Sequence, residues 1–338
     1  MQVASPPDPA EVQHKRPWYQ SSWLLAAVSL GVLFLLFRRV SLVEIDQFAS
    51  RARWPLVILA LAFFPVDRVF MAWKWLLLIR TRVPGLRLAT AVSTYYIGGA
   101  AGTFLPIGGL GPDAVRVMLL RRAGVGLELS TSSILVERLI GLLASAMMVV
   151  LSIVLMAVTF GGFTSHPELR WVAALSGGAS GLGMLLLCSP RLRRGMGAEG
   201  WMKKIFARVG LGRHWQATLD YGDHQALLIG NLVLSFIEQL APVIAFYICC
   251  MAFRVPAGLL QCLVIVPVAA VLERLPISFA GLGMREAGIV YMGGLFGLPY
   301  ADALLVSVAN EVLYLTALVP AAFFLWRTSS RTAVTSRL

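Results

Sequence analysis

The chain has 338 residues, of which 58% are hydrophobic and 14% are charged. A soluble domain carries about 25% charged residues, so this composition excludes an ordinary soluble globular protein and favours an integral membrane protein. The formal net charge is +12. It does not indicate nucleic-acid binding, because most basic residues lie between apolar stretches, where they set membrane topology and contact anionic lipid.

The apolar stretches predict an all-α polytopic membrane protein, because a helix needs about 20 apolar residues to cross the hydrocarbon core. Residues 1–20 are polar and Pro-rich, which predicts a disordered N-terminus. The segment 38–53 mixes charged and apolar residues and predicts a helix at the membrane interface. Six stretches are candidate full spans: 21–37, 54–79, 129–160, 170–188, 225–252 and 300–326.

Two further apolar regions, 88–124 and 257–298, are each interrupted by Leu-Pro-Ile and a Gly-containing phrase. Non-helical backbone at membrane depth is tolerated only where protein or a wet cavity surrounds it. We therefore predict a re-entrant helical hairpin in each region, and paired broken segments of this kind indicate a transport site near the bilayer midplane. The predicted hinge residues are Pro106, Gly108 and Gly111 in the first region and Pro276, Gly281 and Gly283 in the second.

The basic residues predict how these elements are oriented. The loop 189–224 is rich in Arg and Lys and is placed in the cytoplasm, whereas residues 161–169 contain neither and are placed outside. Both termini, including the tail 327–338, then lie in the cytoplasm. Each half has the order span, span, hairpin, span, and this odd number of crossings inverts the second half (161–188 and 225–326) relative to the first (21–160).

Three pairs of acidic residues support this inverted repeat. The two members of each pair are separated by nearly the same length of chain, and they occupy corresponding places in the two halves. The pairs are Asp67 with Glu238, Asp113 with Glu286, and Glu137 with Glu311.

Charged side chains inside the predicted spans are expected to have partners, because a charge at the bilayer centre costs about 2.5–3.5 kcal/mol on insertion scales. Adjacent residues of a helix do not face each other, so adjacent acid–base couples are expected to pair across helices. Two compatible interpretations are salt bridges that tie the halves together and a polar cavity that receives a charged headgroup. The couples are Asp67-Arg68, Glu137-Arg138, Glu273-Arg274 and Arg285-Glu286.

Arginine suits the recognition of a phosphate headgroup, since its guanidinium donates two parallel hydrogen bonds. Helices are predicted to restart near Pro112 and Met284, and helix N-termini also favour anions. Asp67 and Glu238 are the candidate proton carriers, with structural pairing as the alternative. The predicted headgroup-binding residues are Arg116, Arg138, Arg274, Arg285 and Glu286, and the predicted gating or proton-coupling residues are Asp67, Asp113, Glu137, Glu238 and Glu311.

The sequence contains no nucleotide-binding, metal-binding or Ser-centred hydrolase motif. We therefore expect no cofactor and no metal. Transport is expected to run downhill or to be driven by an ion or proton gradient, and we do not expect an enzyme.

The residues at the two breaks resemble the lysylphosphatidylglycerol synthase transmembrane-region family over roughly residues 20–325. The family's first pattern is Leu-Pro, Gly, an acid and Arg, followed by an acid-Arg pair on the next helix. Asp113 stands where Glu is expected in that pattern. The matching residues are Leu105-Pro106, Gly111, Asp113, Arg116 and Glu137-Arg138 for the first pattern, and Leu275-Pro276 with Gly281-Leu282-Gly283-Met284-Arg285-Glu286 for the second.

This resemblance implies a flippase-like protein of the inner membrane that moves a lipid, such as an aminoacylated phospholipid or a glycolipid, between leaflets. The soluble aminoacyl-transferring domain of the best-known members is not expected here, which favours a stand-alone translocator. One alternative is an accessory or catalytic subunit of lipid or lipid-linked sugar modification, with Asp113 or Glu286 as base. Another is a scaffold whose charges are only structural. The expected partners are a membrane lipid with a charged or polar headgroup and, for the first alternative, a separate lipid-modifying enzyme.

Overall fold

The computed structural model describes residues 22–104, 111–160, 167–189, 220–273, 278 and 281–326, and these residues form helices joined by short turns. No strand occurs in these ranges. The helices are α1 (Ser22–Phe37), α2 (Leu42–Ser50), α3 (Trp54–Ile79), α4 (Leu88–Phe104), α5 (Gly111–Arg122), α6 (Leu127–Phe160), α7 (Pro167–Cys188), a 3₁₀ turn (Asp220–Asp223), α8 (Gln225–Glu238), α9 (Leu240–Ala252), α10 (Leu259–Glu273), α11 (Met284–Leu295) and α12 (Tyr300–Ala317).

Within the described residues, five helical segments are long and apolar enough to cross a membrane. The helix α1 qualifies only when it is counted together with α2, from which it is bent by 85°. This composition and helix content confirm the prediction of an all-α polytopic membrane protein. The five segments are Trp54–Ile79, Leu127–Thr159, Leu169–Leu187, Gln225–Ala252 and Tyr300–Trp326.

The predicted span 225–252 is present but consists of two helices, α8 and α9, with a break at Gln239. Pro242 lies in the first turn of α9. A proline inside a helix lacks the N–H for the i−4 bond, and its ring crowds the carbonyl of that residue, here Glu238. The break therefore falls directly after Glu238, the acidic residue predicted to take part in gating or proton coupling.

The two broken regions form closely packed helix pairs. A Cβ on Gly98 would lie 2.7 Å from Arg116 Cγ, and a Cβ on Gly102 would overlap the ring of Pro112. Since these contacts run in opposite directions along α4 and α5, the two helices are an antiparallel hairpin. The helices α10 and α11 pack in the same way, and a Cβ on Gly288 would lie 3.0 Å from α10. The re-entrant path of the hairpins through a membrane and the inversion of the repeat stay predictions.

Buried apolar residues form a core in each half. The core of the first half joins α3, α4 and α5 around Trp75 and Leu120. The larger core of the second half joins α9 to α12 and includes residues of α6, such as Ile153. The long helix α6 therefore contacts both halves and fixes the position of one hairpin relative to the other.

The helix predicted in 38–53 is observed as α2, and its location at the membrane interface stays a prediction. Ser41 and Glu44 cap its first turn reciprocally: the Glu44 N–H donates to Ser41 Oγ and the Ser41 N–H donates to the Glu44 carboxylate. Its buried Phe48 stacks on Phe253 at the end of α9, with 4.4 Å between the ring centroids. The other face of α2 remains exposed, as expected for a helix at an interface.

The N-terminus (1–20), for which disorder was predicted, most of the basic loop (189–224) and the tail (327–338) lie outside the described residues. The hinge predictions at Pro106, Gly108 and Pro276 and the headgroup-binding prediction at Arg274 also lie outside them.

Candidate functional site

The first cluster of charges surrounds Arg116 on α5. Its side chain is only 7% exposed, and its guanidinium carbon lies 4.8 Å from the ring centroid of Trp75 and 4.2 Å from that of Tyr95. The Nη2 atom donates to Glu137 Oε2 on α6 at 2.7 Å. The absence of a side chain on Gly98 leaves room for this arginine. Arg116 is thus held by two aromatic faces and one carboxylate inside the first half.

Asp113 joins Arg116 to a second arginine. Arg138 donates from Nε and Nη2 to the two oxygens of Asp113, both at 3.0 Å, while Arg116 Nη1 lies 3.6 Å from Asp113 Oδ1. Asp113 occupies the first turn of α5, where the helix dipole favours an acid. The side chain of Arg138 is 52% exposed, so this cluster has one enclosed guanidinium and one that faces outward.

The second cluster surrounds Arg285 on α11. Its Nη2 donates to Glu286 Oε1 at 2.7 Å, and its Nη1 donates to Glu311 on α12. Glu286 is 1% exposed and is held further by the Gly283 N–H at 2.7 Å. The hydroxyl of Ser307 lies at 3.5 Å from the same carboxylate. Glu286 is therefore fixed by its own helix start, whereas Arg285 is the one ion-pair partner of Glu311 in the described residues.

The hinge glycines of the second hairpin are required by the backbone. Gly281 and Gly283 have φ values of +79° and +83°, which residues with a Cβ rarely adopt. A Cβ on Gly281 would overlap the side chain of Glu273, and one on Gly283 would lie 3.1 Å from the Ser29 carbonyl of α1. The second break is thus a tight turn covered by the first helix of the chain.

The space around Arg285 is small. A cleft of about 10 Å³ lies between Arg285, Glu311, Glu273, Gly281 and Leu282. This volume is about that of one water molecule. In this conformation the ion pairs close the second cluster, so a ligand group enters only if side chains or helices move.

A third pair, which sequence reasoning did not single out, joins the two halves. Lys74 on α3 is 2% exposed, donates to Ser235 Oγ at 2.9 Å and forms an ion pair with Glu238. The Nδ2 of Asn231 donates to the Lys74 carbonyl at 3.0 Å. The available signal was the charge of Lys74 inside a predicted span.

Asp67 and Arg68 lie on α3 and pair with each other at 3.2 Å. Arg68 also lies over the ring of Tyr314 on α12, at 5.5 Å from its centroid. Asp67 Oδ1 and Arg68 Nε are buried and make no hydrogen bond in the described part of the chain. Arg116 Nε and Arg285 Nε are likewise buried without a hydrogen bond, so the feature that distinguishes this couple is the unpaired carboxylate oxygen of Asp67.

The expectation that adjacent acid–base couples pair across helices is confirmed for Glu137-Arg138 and wrong for Asp67-Arg68 and Arg285-Glu286. Glu137 binds Arg116 and Arg138 binds Asp113, each across helices. In the other two couples the long arginine side chain folds back along its own helix to the neighbouring carboxylate. Arg285 does both, since it also reaches Glu311.

The predicted site residues therefore fall into two arginine clusters and a link between the halves. Among the residues that the structure describes, no ion pair joins the Arg116 cluster to the Arg285 cluster. Glu137 is in electrostatic range of Lys74 and Glu238, and Asp67 is in range of both as well. No group of three His, Cys, Asp or Glu side chains in the described ranges is placed to hold a metal ion.

This arrangement determines what the site can do chemically. Each buried guanidinium already has a carboxylate partner, and removing one partner of such a pair is costly. An incoming phosphate group can bind an arginine only by taking the place of a carboxylate or by sharing the arginine with it. The clusters are therefore suited to exchange of anionic partners.

Comparison with known proteins agrees with this picture. No curated protein matches the chain at a significant level. The family model described as the lysylphosphatidylglycerol synthase TM region matches residues 22–322 and thus includes the helices α1 to α12. The chain is a multi-pass membrane protein that belongs to the lysylphosphatidylglycerol synthase transmembrane-region family.

Proposed function

We propose that this protein moves a lipid with a charged or polar headgroup between the leaflets of the bacterial inner membrane, with both termini in the cytoplasm. Membership of the lysylphosphatidylglycerol synthase transmembrane-region family suggests membrane lipid modification or translocation, which supports a membrane lipid as the ligand. The observation that carries the proposal is the Arg285 cluster, where a partly buried arginine meets two carboxylates at the restart of a broken membrane helix.

The two carboxylates on Arg285 are held differently, and this difference suggests a route for exchange. Glu286 is fixed by the Gly283 N–H and Ser307. Glu311 lies on another helix, α12, so a relative movement of α11 and α12 separates it from Arg285. An anionic headgroup would then take the position of Glu311 and keep the charge of Arg285 neutralised inside the membrane.

Arg138 is the corresponding contact in the first half: it lies on α6 and binds Asp113 of the first hairpin. It is half exposed and is bound to Asp113 by two hydrogen bonds. A guanidinium in this geometry binds a phosphate in the same two-pronged way. We therefore place the first recognition of the headgroup at Arg138 and its enclosure at Arg285.

The same contacts argue against the enzyme alternative. A general base must be free to accept a proton near the working pH. Asp113 lies against two guanidinium groups and Glu286 lies against one guanidinium and one backbone N–H. Since both oxygens of each carboxylate already accept from these donors, neither residue has an oxygen directed at a substrate, and translocation without chemistry is the better proposal.

The proposal is tested with purified protein in liposomes that contain headgroup-labelled phospholipids and glycolipids. A membrane-impermeant reductant reports how fast inner-leaflet label becomes accessible. We expect wild type to accelerate the movement of at least one lipid and Arg285→Gln to reduce it to the rate of empty liposomes. The matched control is Arg80→Gln, because Arg80 makes no ion pair with either cluster in the described residues and its Nε donates instead to the Leu86 carbonyl at 3.1 Å.

Glu311→Gln separates a transport role of the cluster from a structural one. It leaves Arg285 charged and still bound by Glu286, so we expect lipid movement to persist. If Glu311→Gln and Arg285→Gln stop movement equally and lower thermal stability equally, the cluster is a structural salt bridge. If wild type moves no labelled lipid with or without a proton gradient, translocation is wrong, and an accessory role beside a separate lipid-modifying enzyme replaces it.

A further inference from the structure

The outward face of α5 forms a groove that the two charge clusters do not use. Its inward face carries Arg116, Leu119 and Leu120, which are buried. One helical stripe on the opposite face lines an open groove of about 400 Å³, and the first residue of α6 closes one end. The lining residues are Ala114, Val117, Met118, Arg121, Arg122 and Leu127.

The groove combines exposed apolar side chains with two exposed basic ones. Met118 and Leu127 are each 45% exposed. Arg121 and Arg122 are exposed, and within the described residues neither side chain makes an ion pair or a hydrogen bond. Glu128 is the nearest acid along the chain, on the first turn of α6, and it binds neither arginine. The positive charge at this end of the groove is therefore unpartnered.

The end of α5 holds the arginines in place. The Gly124 N–H donates to the Arg121 carbonyl and the Val125 N–H donates to the Leu120 carbonyl, each at 3.0 Å. Gly124 has a φ of +84°, and Val125 packs in the same core as Leu120. This is the Schellman arrangement, in which a left-handed glycine ends a helix and a hydrophobic contact closes the turn. The two arginines therefore project from a defined helix end.

We infer that this groove binds one anionic phospholipid of the surrounding bilayer, with its phosphate at Arg121 and Arg122 and an acyl chain along Met118, Val117 and Ala114. Guanidinium groups at the ends of membrane helices lie at headgroup level, where they attract anionic lipid. The apolar stripe below them continues toward the hydrocarbon core. A zwitterionic lipid fits the stripe but gains less from the two charges, so the site selects for net negative charge.

Basic residues in the last turn of a helix are also favourable without any ligand, because they offset the helix dipole. That role needs positive charge but no groove. The two explanations differ in lipid binding and in the effect of filling the groove, and both differences are measurable. The inference does not depend on translocation, because it concerns a lipid bound on the outside of α5, separate from the Arg285 cluster.

The experiment is native mass spectrometry of the full chain, purified without lipid and titrated with dioleoyl phosphatidylglycerol or dioleoyl phosphatidylcholine. We expect one phosphatidylglycerol to bind more tightly than phosphatidylcholine. Arg121→Gln/Arg122→Gln is expected to weaken the binding of the first phosphatidylglycerol about thirtyfold, because each arginine at a membrane surface contributes about 1 kcal/mol. Arg121→Lys/Arg122→Lys should retain most of it, and Met118→Trp should weaken the binding of both lipids by filling the groove.

The matched control is Arg38→Gln/Arg53→Gln, which removes the same charge from two exposed arginines elsewhere. An equal loss of phosphatidylglycerol affinity in this control would mean that only the net charge of the protein matters, and it would overturn the proposed site. Equal affinity for the two lipids, or unchanged phosphatidylglycerol binding in Arg121→Gln/Arg122→Gln, would overturn it as well. Loss with Arg285→Gln but not with Arg121→Gln/Arg122→Gln would assign the bound lipid to the hairpin and reject the groove.

Discussion

Breaking the Lys74–Glu238 pair tests whether it ties the two halves of the protein together. Lys74 is 2% exposed and the side chain of Glu238 is 14% exposed. Lys74→Met keeps the volume of the side chain but leaves the carboxylate of Glu238 without its cation. Removing one member of a buried ion pair costs about 3–5 kcal/mol, because the remaining charge is buried and uncompensated. We expect a loss of stability of that size.

The double variant Lys74→Met/Glu238→Leu removes both charges and should recover most of this loss. Replacement of a whole buried pair by apolar residues is often neutral or stabilising. Ser235 loses the hydrogen bond from Lys74, which costs about 1 kcal/mol. The double variant is therefore expected to lie within about 2 kcal/mol of wild type.

The assay is thermal unfolding of the purified variants in one detergent, with unfolding followed by the exposure of buried cysteines such as Cys249. The expected order of apparent Tm is wild type, then the double variant, then the single variants. The control pair Arg51–Asp302 is more exposed, with 39% and 16% of the side chains accessible, and should contribute no more than about 1 kcal/mol. If the losses of Lys74→Met and Glu238→Leu simply add in the double variant, the two residues are not coupled and the reasoning fails.

Two further predictions concern the hairpins. Gly283→Ala forces a side chain onto a φ of +83° and against the Ser29 carbonyl, so we expect the free energy of unfolding to fall by about 1–3 kcal/mol. The control Gly177→Ala places a Cβ where no atom lies within 4 Å and should leave the apparent Tm unchanged. An equal loss of stability in both variants would refute backbone strain at Gly283. Arg116→Gln leaves buried Glu137 without its cation, so it should destabilise the protein by about 3–5 kcal/mol. Arg138→Gln changes a half-exposed side chain and should cost about 1 kcal/mol or less. The reverse order in thermal unfolding would contradict the assignment of Arg116 as the inner and Arg138 as the outer arginine.

The fold was predictable because long apolar stretches and their interruptions are strong local signals. The span 54–79 is observed as α3 with the same bounds, and the glycines of the first hairpin do permit close packing of α4 on α5. The break at Gln239 was not predicted, although Pro242 is visible in the sequence. A proline in the first helical turn is tolerated, so whether it begins a new helix depends on the packing around it.

The partners of the charges were less predictable than the charges themselves. A sequence shows that Asp67, Arg68 and Lys74 lie in one span, but it does not show which neighbouring helix each side chain meets. The rule that adjacent helical residues do not face each other concerns Cβ directions. Arginine has enough length to overcome it, as Arg68 and Arg285 both do. Lys74 was missed because its partner, Glu238, is far away in the chain.

The three kinds of ion pair divide the protein into parts that hold together and parts that separate. The Arg116 cluster joins α5 to α6, and the Arg285 cluster joins α11 to α12, so each lies within one half. In the described residues, Lys74–Glu238 and Arg51–Asp302 are the ion pairs that connect the first half to the second.

A movement that separates the halves must break both of these ion pairs, and breaking the buried Lys74–Glu238 pair costs more. A ligand favours such a movement only if it binds the separated state more tightly by at least that amount. Exchange of Glu311 for a headgroup on Arg285 needs only a movement of α11 against α12 within the second half, so it leaves Lys74–Glu238 intact. Coupling of lipid binding to separation of the halves would require new partners for Lys74 and Glu238, which makes these two residues the place to look for it.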